Sequence, residues 1–142
     1  MLQYPAIVHE ESDGYWVEFP DLKGCVTEGD TMKELIENGE DALSLYLGVL
    51  FDDGMEIPEP SSFKADNIIY VSVLPDTAIP IVLRKMRIEK QLSQSDIAKK
   101  IGKSYQAYQK FENVKKFNAR IKTLEYLARS LGKKLIVDFV DY

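Results

Sequence analysis

Histidine and cysteine are almost missing from this chain of 142 residues, which has one of each, His9 and Cys25. A lone cysteine excludes an internal disulfide and any cysteine-based zinc cluster. A lone histidine leaves a Ser-His-Asp triad a single base and a multi-histidine metal site none. Long apolar runs are absent too: nothing approaches the roughly 18 residues of a membrane-spanning segment. The opening MLQYPAIVHE shows no basic stretch followed by an apolar one, the mark of a secretory signal. These absences predict a soluble, cytoplasmic protein that touches no membrane. They also predict no cofactor, no metal site and no catalytic constellation. The remaining composition, 45% apolar and 29% charged, suits one medium or two small globular domains.

Charge is where the chain departs from the ordinary. Residues 1–76 carry 17 acidic and 3 basic side chains, a net of −14, whereas residues 77–142 carry 6 and 15, a net of +9. Opposite signs in successive halves predict two domains with different partners. The plainer alternative is that the blocks are only solvated faces. The break coincides with a change in structural pattern, which favours two domains, 1–75 and 79–142. PDTAIP, Pro75 to Pro80, reads as the linker, with Pro80 in the first turn of a following helix.

The first half alternates like a sheet. YPAIV is a short strand in which Pro5 suits an edge position. GYWVEF sets Tyr15, Val17 and Phe19 on one face and Trp16 and Glu18 on the other. SDG between them signals a hairpin with Gly14 at positive φ, and CVTEGDT is a third strand. Thr31 and Glu34 then form a capping box. The helix it opens carries Leu35, Gly39, Ala42, Leu43, Tyr46, Leu47 and Leu50 at helical spacing. NIIYVSVL closes the domain as a strand. The expected fold class is therefore α+β, in the order strand, strand, strand, helix, strand.

The second half is helical. Ile81, Leu83, Met86, Ile88 and Leu92 form an apolar stripe, with Arg84, Lys85, Arg87 and Lys90 polar. In LSQSDIAKKIGKSYQAYQKFEN, Ser93 and Asp96 are a second capping box, and Gly102 suits the left-handed end of a helix. Ser104 can cap a second short helix, with Ile97, Ala98, Ile101, Tyr108 and Phe111 inward. Two helices so joined match a helix-turn-helix, whose second helix enters the major groove. Tyr105, Gln106, Gln109 and Lys110 are then the base-contacting set, since Gln can bond adenine twice and Lys can donate to guanine. Gln94, Ser104, Lys99, Lys103, Lys115 and Lys116 are the phosphate-contacting set, with Lys100 and Arg120 adding charge. The bland alternative is a helical protein-binding domain with a polar surface. TLEYLARSLG adds a helix that turns Leu124, Leu127, Ala128 and Leu131 inward and stops at Gly132. KKLIVDFV reads as a final strand with Leu135, Val137 and Phe139 on one face. It must pair with a second copy, giving the homodimer a palindromic operator requires, or with the acidic sheet of its own chain.

The stretch from Leu92 to Asn113, with TLEYLARSLG, resembles the Cro/XRE helix-turn-helix of phage repressors. That resemblance implies a phosphate clamp at Gln94 and base contacts from Tyr105, Gln106 and Lys110. Val114 stands where the family usually has Gly after Asn113. The acidic half, with YPAIV, DGYWVEFPDLKGC, GDTMKEL and IPEPS, resembles the HicB-type antitoxin domain, whose fold is similar to part of ribonuclease H. The resemblance implies a small basic HicA-type toxin that cleaves RNA as the partner, held off its substrate by the acidic domain, with the basic domain on operator DNA. Tyr15, Trp16, Glu18, Pro20 and Asp21 are the candidate toxin contacts, unless Trp16 lies under the helix. Two other functions compete: a phage-like regulator with no toxin, and a divergent metal-dependent nuclease using Asp13, Glu18, Asp21 and Glu28. No ligand spacing singles those carboxylates out.

Overall fold

The computed structural model describes residues 1–142 and divides the chain into two units, Met1–Ala78 and Ile79–Tyr142. In the first, strands β1 (Gln3–Glu11), β2 (Gly14–Glu18), β3 (Val26–Gly29) and β4 (Ile68–Ser72) form one antiparallel sheet in the order β3-β2-β1-β4. Helix α1 (Met32–Asp52) lies between β3 and β4 in sequence. The register puts Val8 opposite Val17 and Tyr4 opposite Val71, so Tyr4, Ala6, Val17 and Val71 share one face. These side chains are buried together with Leu35, Leu43, Leu47 and Phe51 of α1. The alternation read from the sequence is thus the alternation of a half-covered sheet.

Pro5 is buried in β1, an interior strand rather than an edge. The local reason is the end of β2. Val8 donates to Asn67 and Leu2 accepts from Val73, so the even-numbered backbone groups of β1 face β4 and the odd ones face β2. β2 stops at Glu18, opposite Ile7, and Pro5 lies beyond it where no ladder donor is required.

Thr31 caps α1 by accepting from Glu34 N at 3.1 Å. The Glu34 carboxylate reaches one residue further back than a capping box would, to Asp30 N at 3.0 Å. Gly29 fits beneath this turn because a Cβ there would stand 2.5 Å from Leu35 N, which leaves no room for another residue.

The PDTAIP stretch, within which the two units divide, is helical rather than open. Helix α2 runs Pro75–Glu89, so Pro75 takes the first helical position and Pro80 lies inside. Pro75 is pre-set for a helix start, and Pro80 only forgoes the backbone bond that its N–H would otherwise make to Asp76 O.

The second unit continues with α3 (Gln94–Lys100), α4 (Tyr105–Gln109), a 3-10 turn (Lys110–Glu112) and α5 (Ile121–Ser130). Leu83, Ile97, Ala98, Ile101, Tyr108, Phe111, Leu127 and Leu131 form its core, and Leu124 packs against it half-buried. No strand forms at Lys133–Val140, which pairs with no other strand, and Ile136, Val137, Phe139 and Val140 are exposed. The β-branched pattern there has no partner strand in a single chain. No helix is long and apolar enough to cross a membrane.

Candidate functional site

Ser93 and Asp96 form a complete capping box, at 3.0 Å for Asp96 N to Ser93 Oγ and 2.8 Å for Ser93 N to Asp96 Oδ2. These bonds to Ser93 hold the Asp96 carboxyl below the usual carboxylate range, and Lys99 adds to the effect. After α3 the chain turns through Gly102, at φ +66°. Ser104 Oγ then accepts from Ala107 N at 3.1 Å and starts α4. Buried Tyr108 and Phe111, edge-to-face with centroids 6.1 Å apart, turn the other side of this short helix outward.

The outward side holds Tyr105, Gln106, Gln109 and Lys110, all exposed, on α4 and the first residue of the 3-10 turn. Gln109 Nε2 donates to the Tyr105 hydroxyl at 3.0 Å, which joins these two side chains into one ledge beside Gln106. Gln94 stands half-buried at the first position of α3. Lys99, Lys103, Lys115 and Lys116 are exposed on α3 and on the two loops that flank α4. In the second of these loops, Asn113 Oδ1 accepts from Lys116 N at 3.0 Å, a local turn in place of the glycine usual after this asparagine. Lys100 is set apart from the group, with Nζ 3.4 Å from Ser130 O at the end of α5.

Arg87, one of the polar positions of α2, is mostly buried. Its guanidinium makes two bonds to the fully buried Glu112 carboxylate, Nε to Oε2 at 2.7 Å and Nη2 to Oε1 at 2.9 Å. Nη1 donates to Leu92 O at 2.8 Å, and Arg84 Nε lies 3.7 Å from the same carboxylate. The Glu112 bond raises the Arg87 pKa against the opposing effect of burial. The Tyr108 hydroxyl is buried beside this pair, and burial with the neighbouring carboxylate raises its pKa. The ion pair ties α2 to the 3-10 turn that ends the outward ledge. A glutamate between inward Phe111 and Asn113 was the signal in the sequence.

On the acidic unit, the face away from α1 carries Ile7, His9, Trp16, Glu18, Val26, Glu28 and Tyr70 by strand register. Trp16 is therefore not under the helix. His9 stacks on it with centroids 3.9 Å apart and 14° between planes, and His9 Nε2 is 3.4 Å from Glu18 Oε1. Tyr15 lies half-buried on the opposite face. Asp21 is a loop anchor: its carboxylate accepts from Ser61 N at 2.8 Å and from the Ser61 hydroxyl. With Tyr4 Oη donating to Pro58 O at 2.5 Å and Tyr46 Oη to Lys23 O at 2.9 Å, the PDLKG and IPEPS segments are fastened to the unit. Burial, aided by Glu59 and Asp21, pushes the Tyr4 hydroxyl up to about 12. Buried Cys25 is a small apolar filler whose thiol burial pushes up to about 11. Glu18 and Asp21 are thus engaged separately, and no group of three His, Cys, Asp or Glu side chains is placed to hold a metal ion.

A helix-turn-helix with an acidic α+β unit in the same chain is the class this fold defines. The family model for the HicB-like antitoxin of bacterial toxin-antitoxin systems matches residues 4–78, and the chain belongs to that family. A helix-turn-helix model matches residues 83–136. Antitoxin HicB 1 of Photorhabdus laumondii subsp. laumondii is 28% identical over 135 residues, 94% of this chain and 84% of the relative. Antitoxin HicB of Escherichia coli K12 is 27% identical over 135 residues, 94% of this chain and 96% of the relative. Among solved structures, a HicA3 and HicB3 toxin-antitoxin complex contains a chain 23% identical, with TM-score 0.45, covering 52% of this chain and 100% of its own.

Proposed function

We propose that this antitoxin acts in the cytoplasm, neutralises a basic, RNA-cleaving toxin of the HicA type through its acidic unit, and represses its own operon through its basic unit. The observation that carries the reading is the charge division: 17 acidic against 3 basic residues before Thr77, and 6 against 15 from there on. A −14 surface attracts a cationic RNA-binding protein and repels nucleic acid, whereas a +9 unit does the reverse. Trp16, Glu18 and exposed Pro20 supply the toxin contact on the open side of the sheet. Asp21 holds the adjoining loop in place through Ser61. Masking of the toxin's RNA-binding face by this acidic surface is the inhibitory step.

In the basic unit, Tyr105, Gln106, Gln109 and Lys110 meet base edges, with Gln94, Ser104, Lys99, Lys103, Lys115 and Lys116 on phosphates. A palindromic operator calls for two copies, joined through Leu135, Val137 and Phe139. No group in the chain performs chemistry in this scheme: the protein works by occlusion and by binding.

Co-expression of the full chain with the product of the adjacent reading frame tests the proposal. A stable complex whose RNA cleavage is suppressed, and which binds upstream DNA with affinity falling steeply with salt, is expected. Cleavage by the antitoxin itself in Mg²⁺, abolished by Asp21→Asn, would overturn it in favour of a nuclease. DNA binding with no toxin partner would leave a free-standing regulator.

A further inference from the structure

Tyr105 and Gln109 stand one helical turn apart on the outward side of α4. Helical side chains lean toward the helix start, so Gln109 leans toward Tyr105, and the two are joined by the 3.0 Å bond from Nε2 to the hydroxyl. Both are exposed, Tyr105 at 42%, so the bond lies on the outer surface. Packing does not call for it, because Tyr108 and Phe111 already fill the inward side. Neighbouring Gln106 is also exposed and has no side-chain bond of this kind. Of the two glutamines on the ledge, one is tethered and the other is not.

The tether decides which way the amide faces. An amide nitrogen carries two hydrogens, one beside the oxygen and one on the far side. A two-point contact with adenine uses the oxygen, which accepts from N6, and the hydrogen beside it, which donates to N7. The far hydrogen is left over, and a hydroxyl one turn back along the helix can take it. We propose that Tyr105 is a positioning residue: its hydroxyl holds Gln109 with Oε1 and one N–H presented together, and so selects adenine at the base pair Gln109 meets. An amide turned over would accept from the hydroxyl and present two N–H donors, which suits the paired acceptors N7 and O6 of guanine. Tyr105 meets DNA with its ring, while its hydroxyl serves Gln109.

An untethered glutamine turns between these two presentations and loses that freedom on binding. With the tether the freedom is lost before DNA arrives. Its effect therefore falls on discrimination between bases more than on overall grip, which the lysines supply. The inference rests on the DNA-binding reading of the basic unit, and adds to it a base preference and the residue that enforces it.

Selection of a randomised duplex library by the full chain, with sequencing of the bound pool, reads the preference base by base. Gln109→Ala marks the position that Gln109 reads, where adenine preference is expected to fall about tenfold or more. Tyr105→Phe removes the hydroxyl and keeps the ring. It is expected to lower adenine preference at that same position about three- to tenfold, the loss of one neutral hydrogen bond. The preference at the position read by Gln106, and affinity for random-sequence DNA, should not move. In a Gln109→Ala chain, adding Tyr105→Phe should change nothing further. A tyrosine that only supported the helix would instead lower affinity for every duplex alike, with or without Gln109.

Adenine preference intact in Tyr105→Phe, guanine favoured at the marked position, or no position marked by Gln109→Ala would each overturn the proposal and leave the DNA-binding reading standing. Independent, additive effects of the two substitutions would do the same. A wild-type chain that enriches no duplex sinks the DNA-binding reading and the proposal together.

Discussion

In the acidic unit the largest buried side chains are apolar, save Tyr4, whose hydroxyl is satisfied by one carbonyl at its edge. In the basic unit a whole carboxylate is buried, with Glu112 at 0% side-chain exposure against Arg87. The contrast follows from size. A 21-residue helix on four strands buries enough hydrocarbon to hold itself. Beside most of α2, the basic unit has helices of only 7, 5 and 10 residues, and Phe111 is the one apolar side chain of the 3-10 turn that ends the outward ledge. A forked ion pair does little for net stability but fixes geometry, and here it fixes the ledge relative to α2.

The largest test of this contrast is Glu112→Gln. It leaves Arg87 buried with its charge uncompensated and is expected to cost the basic unit about 3–5 kcal/mol. Thermal melts should then show the basic unit unfolding first, with the signal of Trp16 unchanged until a later transition. One unsplit transition would contradict the separateness of the two routes. Leu47→Ala, at a fully buried position of α1, should cost about 2–4 kcal/mol in the acidic unit and leave DNA affinity at low temperature unaltered. A drop in DNA affinity would show the stability of the two units to be coupled.

Smaller changes sharpen the picture of the ledge. Gln106→Ala should weaken operator binding by about 1–3 kcal/mol and random-sequence binding hardly at all, measured by fluorescence anisotropy. An equal loss on both would move Gln106 off the base edges. The smallest effect concerns acid. Asp96 ionises more readily folded than unfolded. Its cap therefore contributes fully above the unfolded carboxylate pKa and is lost as pH falls through the lower folded value. Asp96→Asn should flatten that acid-side slope in the basic unit, and an unchanged slope would show the cap to be energetically silent.

Local rules made much of this legible in the sequence. Thr31, Ser93 and Ser104 announced helix starts, Gly102 and Gly132 announced stops, and alternation in GYWVEF sorted Val17 inward and Trp16 outward. What stayed hidden depends on distant partners. Arg87 looks like any residue on a polar helix face until Glu112, 25 positions away, arrives beside it. The start at Pro75 was concealed because a proline pair reads as a break, whereas the first helical position tolerates one. KKLIVDFV has strand chemistry but no strand within a single chain. The proposed toxin contact is the least legible, since a half-buried tryptophan on the open face of the sheet shows where a partner can sit without naming it.

Pro5 has one more consequence. Sliding β2 by two residues toward the start of β1 would keep every side chain on its own face, so hydrophobic alternation alone does not forbid that mispairing. It would, however, set Glu18 across from an imide nitrogen with no proton to give. A ring that disturbs nothing in the native alignment thus penalises a slip that the pattern of faces alone permits, and guards the fidelity with which the hairpin closes.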